Sequence, residues 1–306
     1  MNIMLALWRT MNKSVKKKLY IIIGLVAVLL LVGIGVFASG VLNKPAVEPV
    51  VEKPDEPIID EAKIALKKTW NENKAINEDY LGEVFFDSKL IEESFVQAKD
   101  VYNSKGELYK FYTQNGALVT NPTGYTGNDV YIWTYWKTGE YDYNNHGGSV
   151  WLDYRNELDD QNLIIYGHHF SVWNDETRTK AFTPLEKLLE KENYEDNKYL
   201  TIVLEKEIRR YELACVYEFN ATQDRFFEDF QYWRTNYNYD DYTGTTDEKY
   251  YQKYLDAIKS EQLYFTGVDL TTNDKTLTLQ TCISGHTGEL FEILVFKEIA
   301  VEPLEG

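Results

Sequence analysis

Two short runs each end on a reactive side chain. Ile164-Ile165-Tyr166-Gly167-His168 and Thr276-Leu277-Thr278-Leu279-Gln280-Thr281-Cys282 both read as apolar strands, the first closing on an imidazole and the second on a thiol. A nucleophile and a proton carrier placed in this way point to a cysteine enzyme. A free thiol, with a pKa of about 8.5, is only a few per cent thiolate at neutral pH, so a neighbouring imidazole must supply charge or accept the proton. The same ring, once protonated, can hand its proton to a leaving amine.

The other candidates read differently. Cys215 lies inside the run Tyr211–Phe219 and behaves as a small core hydrophobe. Two cysteines are too few for a disulfide framework and lack zinc spacing, and pairing them would consume the nucleophile. Cys282 is followed by Ile283-Ser284-Gly285-His286-Thr287-Gly288, a loop that would expose it. His168 and His169 are adjacent and face opposite ways on a strand, so only one can meet the thiol, and His169 is left as a solvent or lid residue. His146, before two glycines, reads as a turn residue, and His286 as a solvated loop residue. Four scattered histidines give no case for a metal, and no motif calls for a cofactor.

The elements that must carry these groups follow from residue 80 onward. Apolar runs at Val84–Phe86, Val130–Tyr135, Ser149–Leu152, Leu163–Tyr166, Leu200–Leu204, Tyr211–Phe219, Leu263–Val268, Thr276–Thr281 and Leu290–Ile299 are broken by Gly, Asn and Asp. Runs of this length and spacing predict a mostly β barrel or sandwich. A helix is expected over Glu248–Ser260, opened by a capping box from Thr245 to Glu248, with Tyr250, Tyr251, Tyr254, Leu255 and Ile258 near one face. A charged helical pattern covers Asp60–Glu72. No internal repeat and no glycine-rich phosphate loop is read.

Of 306 residues, 44% are hydrophobic and 15% aromatic, enough for one packed domain plus accessories. Acidic residues outnumber basic ones 49 to 32, for a formal net charge of −17. The segment 1–42 contains Arg9, Lys13, Lys16, Lys17 and Lys18 and no acid, so the remainder is more acidic still, which argues against nucleic acid as a ligand. Leu19 to Leu42 is uncharged and, as a helix, would span about 36 Å. The expectation is a single-pass anchor at 19–42, with a basic cytoplasmic segment at 1–18 and the body outside the cell membrane. A cleaved signal peptide ending near Val36-Phe37-Ala38 is the competing reading, and Met11 is an alternative start. Pro45, Pro49, Pro54 and Pro57 mark residues 43–59 as an extended linker, leaving 60–306 as the catalytic domain.

The order, histidine first and cysteine 114 residues later, does not suit papain-like enzymes. Tyr166-Gly167-His168 and Thr278-Leu279-Gln280-Thr281-Cys282 resemble the two strand-end motifs of the sortases. Asn145-His146-Gly147-Gly148-Ser149-Val150-Trp151-Leu152-Asp153-Tyr154-Arg155-Asn156 resembles the run before the histidine strand in class B, and the two helices fit that class too. The resemblance covers roughly residues 60–301. It implies a closed barrel of about eight strands with an N-terminal helical segment and a helix between the late strands. It also implies a transpeptidase in which Cys282 attacks a C-terminal sorting motif of a surface protein or pilin. The acyl group then passes to an amine of a peptidoglycan precursor or a pilin lysine. His168 would serve the thiol, Thr281 and Gln280 would line the groove and offer donors to the oxyanion, and Tyr166 would form groove wall. Departures from the family pattern around the active site point to a specialised substrate and so to pilus assembly.

One part of the family pattern is missing. Class B sortases carry an arginine about ten residues after the cysteine, and Glu292 stands there; no arginine follows Arg234. An acid would raise a neighbouring thiol's pKa and repel an oxyanion. Three readings stay open: a weak or inactive sortase-like accessory protein, recruitment of Lys297 or His286 in the arginine's place, or a strand register different from the count. Lys297 shares the face of Phe291, Ile293 and Val295, while Glu292 lies on the other.

Overall fold

A computed structural model describes residues 61–170, 179–220, 248–283 and 286–304. Strands β1 (Tyr80–Phe86), β2 (Glu92–Val96), β5 (Val150–Leu152), β6 (Asn162–Tyr166), β7 (Tyr199–Val203), β8 (Glu207–Asn220), β9 (Thr276–Ile283) and β10 (His286–Pro303) close a barrel in the order β1-β2-β5-β6-β9-β10-β8-β7. The mostly β, eight-stranded barrel expected from the sequence is the architecture found. A two-stranded ribbon, β3 (Thr134–Tyr135) with β4 (Glu140–Tyr141), stands outside it.

Side-chain alternation builds the barrel. On β1 the burial alternates along Tyr80–Phe86, and Gly82 is required because a Cβ there would stand 2.0 Å from the Val203 carbonyl oxygen of the neighbouring strand. The central strands β6 and β9 run parallel, as do β2 and β5; all other pairs are antiparallel. Leu163, Ile165, Leu277, Leu279, Leu294 and Phe296 fill the interior, each worth about 1.5–3 kcal/mol when fully buried. A 3-10 helix, Thr183–Leu189, contributes Leu185 and Leu188 to that core.

Two helices cover the outside. α1 (Glu61–Ile76), which ends four residues beyond its charged pattern, buries Trp70 against Tyr80, and the indole N–H donates to the Leu81 carbonyl at 2.8 Å. Two one-turn helices follow, α2 (Gly127–Val130) and α3 (Tyr143–His146). α4 (Glu248–Glu261) sets Tyr251, Tyr254, Leu255 and Ile258, spaced for one helical face, on Cys215, Tyr217, Ile293 and Val295 of β8 and β10. Its expected capping residue Thr245 lies outside the described residues.

Several expectations need correction. Val130–Tyr135 is a helix end and a ribbon strand, Leu263–Val268 forms no strand, and β2 was missed because its first three residues, Glu92, Glu93 and Ser94, are polar. An internal repeat exists. Val101–Tyr109 and Phe111–Val119 form two successive hairpins ten residues apart with the same backbone hydrogen bonds. Asn103 N–H donates to Glu107 and Thr113 N–H to Ala117, while Gly106 and Gly116 take φ values of 77° and 78°. Tyr102 and Tyr112, Gly106 and Gly116, and Leu108 and Leu118 recur at the same ten-residue spacing, so the repeat is written in the sequence as well as in the backbone. The segments 1–18, 19–42 and 43–59 lie outside the described residues. Among the described residues no helix is long and apolar enough to cross a membrane, so the expected single-pass placement with an external body is withdrawn.

Candidate active site

The pairing of β6 with β9 sets the site. Asn162 stands beside Thr276 and Tyr166 beside Gln280, a constant offset of 114 positions that also separates His168 from Cys282. The ladder continues past β6: the Gly167 N–H donates to the Gln280 carbonyl at 3.2 Å, and the Thr281 hydroxyl donates to the Gly167 carbonyl at 2.8 Å. Leu163, Ile165, Leu277 and Leu279 point inward, so alternation puts Tyr166, Gln280 and Cys282 on the outer face. Neighbouring strands lie about 4.8 Å apart, so His168 leaves the sheet beside the half-buried Cys282.

An aromatic cage holds the histidine. Its ring stacks on Trp133 at 4.6 Å and meets the edges of Tyr143 and Trp151 at 5.5 and 6.2 Å. Nε2 lies 2.7 Å from the Ile132 carbonyl, which can only accept, so Nε2 carries the hydrogen and Nδ1 keeps its lone pair. Burial pulls the His168 pKa down to about 4, with the Ile132 bond opposing it. The ring is therefore neutral at pH 7 and suited to take a thiol proton.

Tyr143 was not singled out by the sequence reading. α3 carries it, entered at Asp142 and closed by Gly147, whose φ of 71° and N–H bond to the Tyr143 carbonyl end the turn. A Cβ at Gly147 would sit 2.8 Å from the Phe170 ring, so glycine lets α3 approach closely. The Tyr143 ring then stacks on Phe170 at 5.2 Å. Burial, Tyr141 and the charge of Cys282 all push its phenol pKa up. Histidine and cysteine are thus both neighbours of one tyrosine. The available signal was an Asp, four residues and a Gly, a one-turn helix pattern.

Around the pair, Tyr166 stacks on Trp151 at 5.6 Å and donates its hydroxyl to Asp153 at 2.8 Å. Burial pushes the Asp153 carboxyl up, but the two-bond Arg155 guanidinium outweighs it and holds the pKa below the usual range. Arg155 is thereby committed to a structural pair. Gln280 is buried with Oε1 unbonded among the described residues, on the face of the thiol. Thr281 is buried and ties the nucleophile's strand to the residue before the histidine.

The proposed stand-ins for an arginine fall elsewhere. Phe291, not Glu292, stands opposite Cys282; Glu292 pairs with Thr281 and points into the barrel with Leu294 and Phe296. It is fully buried, neither carboxyl oxygen has a partner among the described residues, and burial with Glu186 and Glu218 drives its pKa well up. Lys297 pairs with Thr276, about 20 Å down the strand, and bonds the Asp269 carbonyl and Asp274 carboxylate at 3.1 and 3.0 Å. Both are corrected on this geometry. His286 pairs with Ile283 near the nucleophile, and its side chain lies outside the described residues.

The remaining histidines and the second cysteine are structural. His169, expected at the solvent, is buried with Nε2 2.8 Å from Glu186. His146 stacks on Tyr135 at 3.8 Å and bonds Asp142. The Cys215 thiol donates to the Ile258 carbonyl at 3.2 Å, and burial pushes its pKa up to about 12. No group of three or more His, Cys, Asp or Glu able to hold a metal occurs among the described residues.

Comparison with known proteins agrees with this architecture. The chain is 29% identical to sortase B of Staphylococcus aureus over 154 residues, 50% of this chain and 54% of that protein. It is 29% identical to sortase B of Listeria monocytogenes over 160 residues, 51% of this chain and 54% of that protein. The structure of Clostridium perfringens sortase B matches with a TM-score of 0.54 at 25% identity, covering 75% of this chain and 99% of that one. The chain spans about half the length of the curated relatives it matches. No family model matches.

Proposed function

We propose that this chain, similar to class B sortases in fold and in sequence, is a cysteine transpeptidase acting on the sorting peptide of surface proteins. The observation that supports this reading is the register of β6 on β9, whose offset of 114 is the spacing of His168 and Cys282 and which the Thr281 bond to Gly167 carries past the end of β6. Nδ1 of the neutral His168 takes the thiol proton, and the thiolate attacks the scissile carbonyl. As the C–S bond forms and the C–N bond breaks, the imidazolium returns that proton to the leaving amine. An acceptor amine then attacks the thioacyl carbon and gives a proton to His168. The new C–N bond replaces the C–S bond, and the thiolate is regenerated. Gln280, beside the thiol with an unspent oxygen, receives substrate backbone, and Tyr166 walls the groove.

Acceptors of the right chemistry are the amine of a peptidoglycan precursor or a pilin lysine, and pilus assembly is the finer reading. A second reading, a binding or assembly factor with decayed catalysis, is favoured by a single fact: no arginine follows Arg234. Incubation of the purified protein with a panel of sorting-motif peptides, followed by mass spectrometry, separates the two. A thioacyl adduct on Cys282 that hydroxylamine releases supports the transpeptidase. An intact fold with no adduct at any motif supports the binding factor.

A further inference from the structure

The missing arginine leaves an oxyanion without its usual cationic donor, and the structure offers another hydrogen-bond donor close by. We propose that the Tyr143 hydroxyl is a catalytic residue that donates to the oxyanion formed at Cys282, in the role the absent arginine would fill. This proposal rests on the transpeptidase reading above.

Four observations converge on it. The Tyr143 ring meets the His168 ring edge-on at 5.5 Å, and Cys282 is close enough to act on the Tyr143 phenol by its charge. Phe170, stacked at 5.2 Å, and Trp133, edge-on at 5.2 Å, clamp the ring on two sides, so its hydroxyl is delivered from a fixed direction. Gly147, by its positive φ and missing Cβ, lets α3 come down onto this surface. Finally, the half-buried Tyr143 hydroxyl makes no hydrogen bond among the described residues, whereas those of Tyr80, Tyr109, Tyr131, Tyr166 and Tyr264 are all spent on carboxylates or carbonyls.

The competing donors are occupied or misplaced. Arg155 is bound to Asp153, Lys297 to Asp274, and Glu292 faces the interior. A phenol whose ionisation is made harder by burial and by the nearby thiol keeps its proton at neutral pH, which is the state a donor needs. Tyr143 transfers no proton; it lends a hydrogen bond while negative charge sits on the carbonyl oxygen, and in the resting protein it can lend the same bond to the thiolate.

Tyr143→Phe in the full chain keeps every ring contact and removes only the oxygen. With a peptide that acylates the unaltered protein, the expected result is a drop of about 100-fold in the acylation kcat with little change in KM and an unchanged melting temperature. Equal kcat values overturn the proposal, as does a loss confined to KM. A second measurement needs no substrate: the pH profile of Cys282 alkylation by iodoacetamide, with Tyr141 and His168 as the other titratable neighbours of the thiol and ring. Loss of a donor to the thiolate moves that profile to higher pH in Tyr143→Phe, and superimposable profiles overturn the proposal. Failure of the transpeptidase reading has a different signature, since the unaltered protein would then form no adduct while the alkylation shift remains.

Discussion

On the outer face of the β6 and β9 ends, His168 is enclosed by rings yet keeps one hydrogen bond and one free lone pair beside a half-buried thiol. On the inner face, one residue away, Glu292 is sealed among Leu294 and Phe296 with both oxygens unbonded. Burial acts on both groups and favours the neutral form of each, lowering the imidazole and raising the carboxyl. The difference is in what the neutral form can do. A neutral imidazole beside a thiol is a base; a neutral carboxyl inside a barrel is a structural burden. A shift of a single position along a strand separates the two outcomes.

The largest expected effect tests the outer face. Cys282→Ala should reduce acyl transfer to the uncatalysed background, while Cys215→Ala, under α4, should leave turnover close to the original; a peptide-release assay reads both. Next comes the inner face. Glu292→Arg should cost about 3–5 kcal/mol in urea unfolding, because it buries an uncompensated charge, and should not raise activity. Phe291→Arg, opposite Cys282 and on its face, should be far better tolerated and is the substitution expected to raise the acylation rate.

Glu292→Met should stabilise the fold by about 1–3 kcal/mol by removing an unbonded buried carboxyl, measured as a shift in the urea midpoint. The two faces should also respond to pH with opposite signs. Glu292, with its folded pKa raised, contributes fully below its unfolded value of about 4.3 and loses that contribution as pH rises toward the folded value. His168, with its folded pKa lowered to about 4, contributes fully above about 6.5 and loses it as pH falls through about 4. Glu292→Gln should flatten the alkaline side of a stability curve, and His168→Asn the acid side, the smaller change because the ring is partly exposed.

Much of this was legible beforehand. Apolar runs ending at His168 and Cys282 marked the strand ends, and the face of α4 followed from Tyr251, Tyr254, Leu255 and Ile258. Period-two alternation already separated Glu292 from Phe291. Most of the unread parts share one cause, since their signals are non-local. β2 begins with polar residues that line a cavity with Tyr135 and His146. The hairpin repeat at 101–119 is the exception, since Tyr, Gly and Leu recur ten residues apart, a local signal confined to three positions of each hairpin. His169 looks like a surface residue until Glu186 of the 3-10 helix closes over it.

By itself, the sequence determined the residue types available for chemistry, a mostly β barrel or sandwich built from short apolar runs, and the absence of an arginine after position 234. Those are local properties, set by side-chain chemistry and by the two-residue period of a strand. Only the tertiary structure decided that β6 and β9 pair at the same offset of 114 that separates His168 from Cys282, that the strand opposite presents Phe291 to the thiol, and that α3 lays Tyr143 against the histidine. Register and packing between segments far apart in the chain are set by how whole faces bury one another, which no single run of residues encodes.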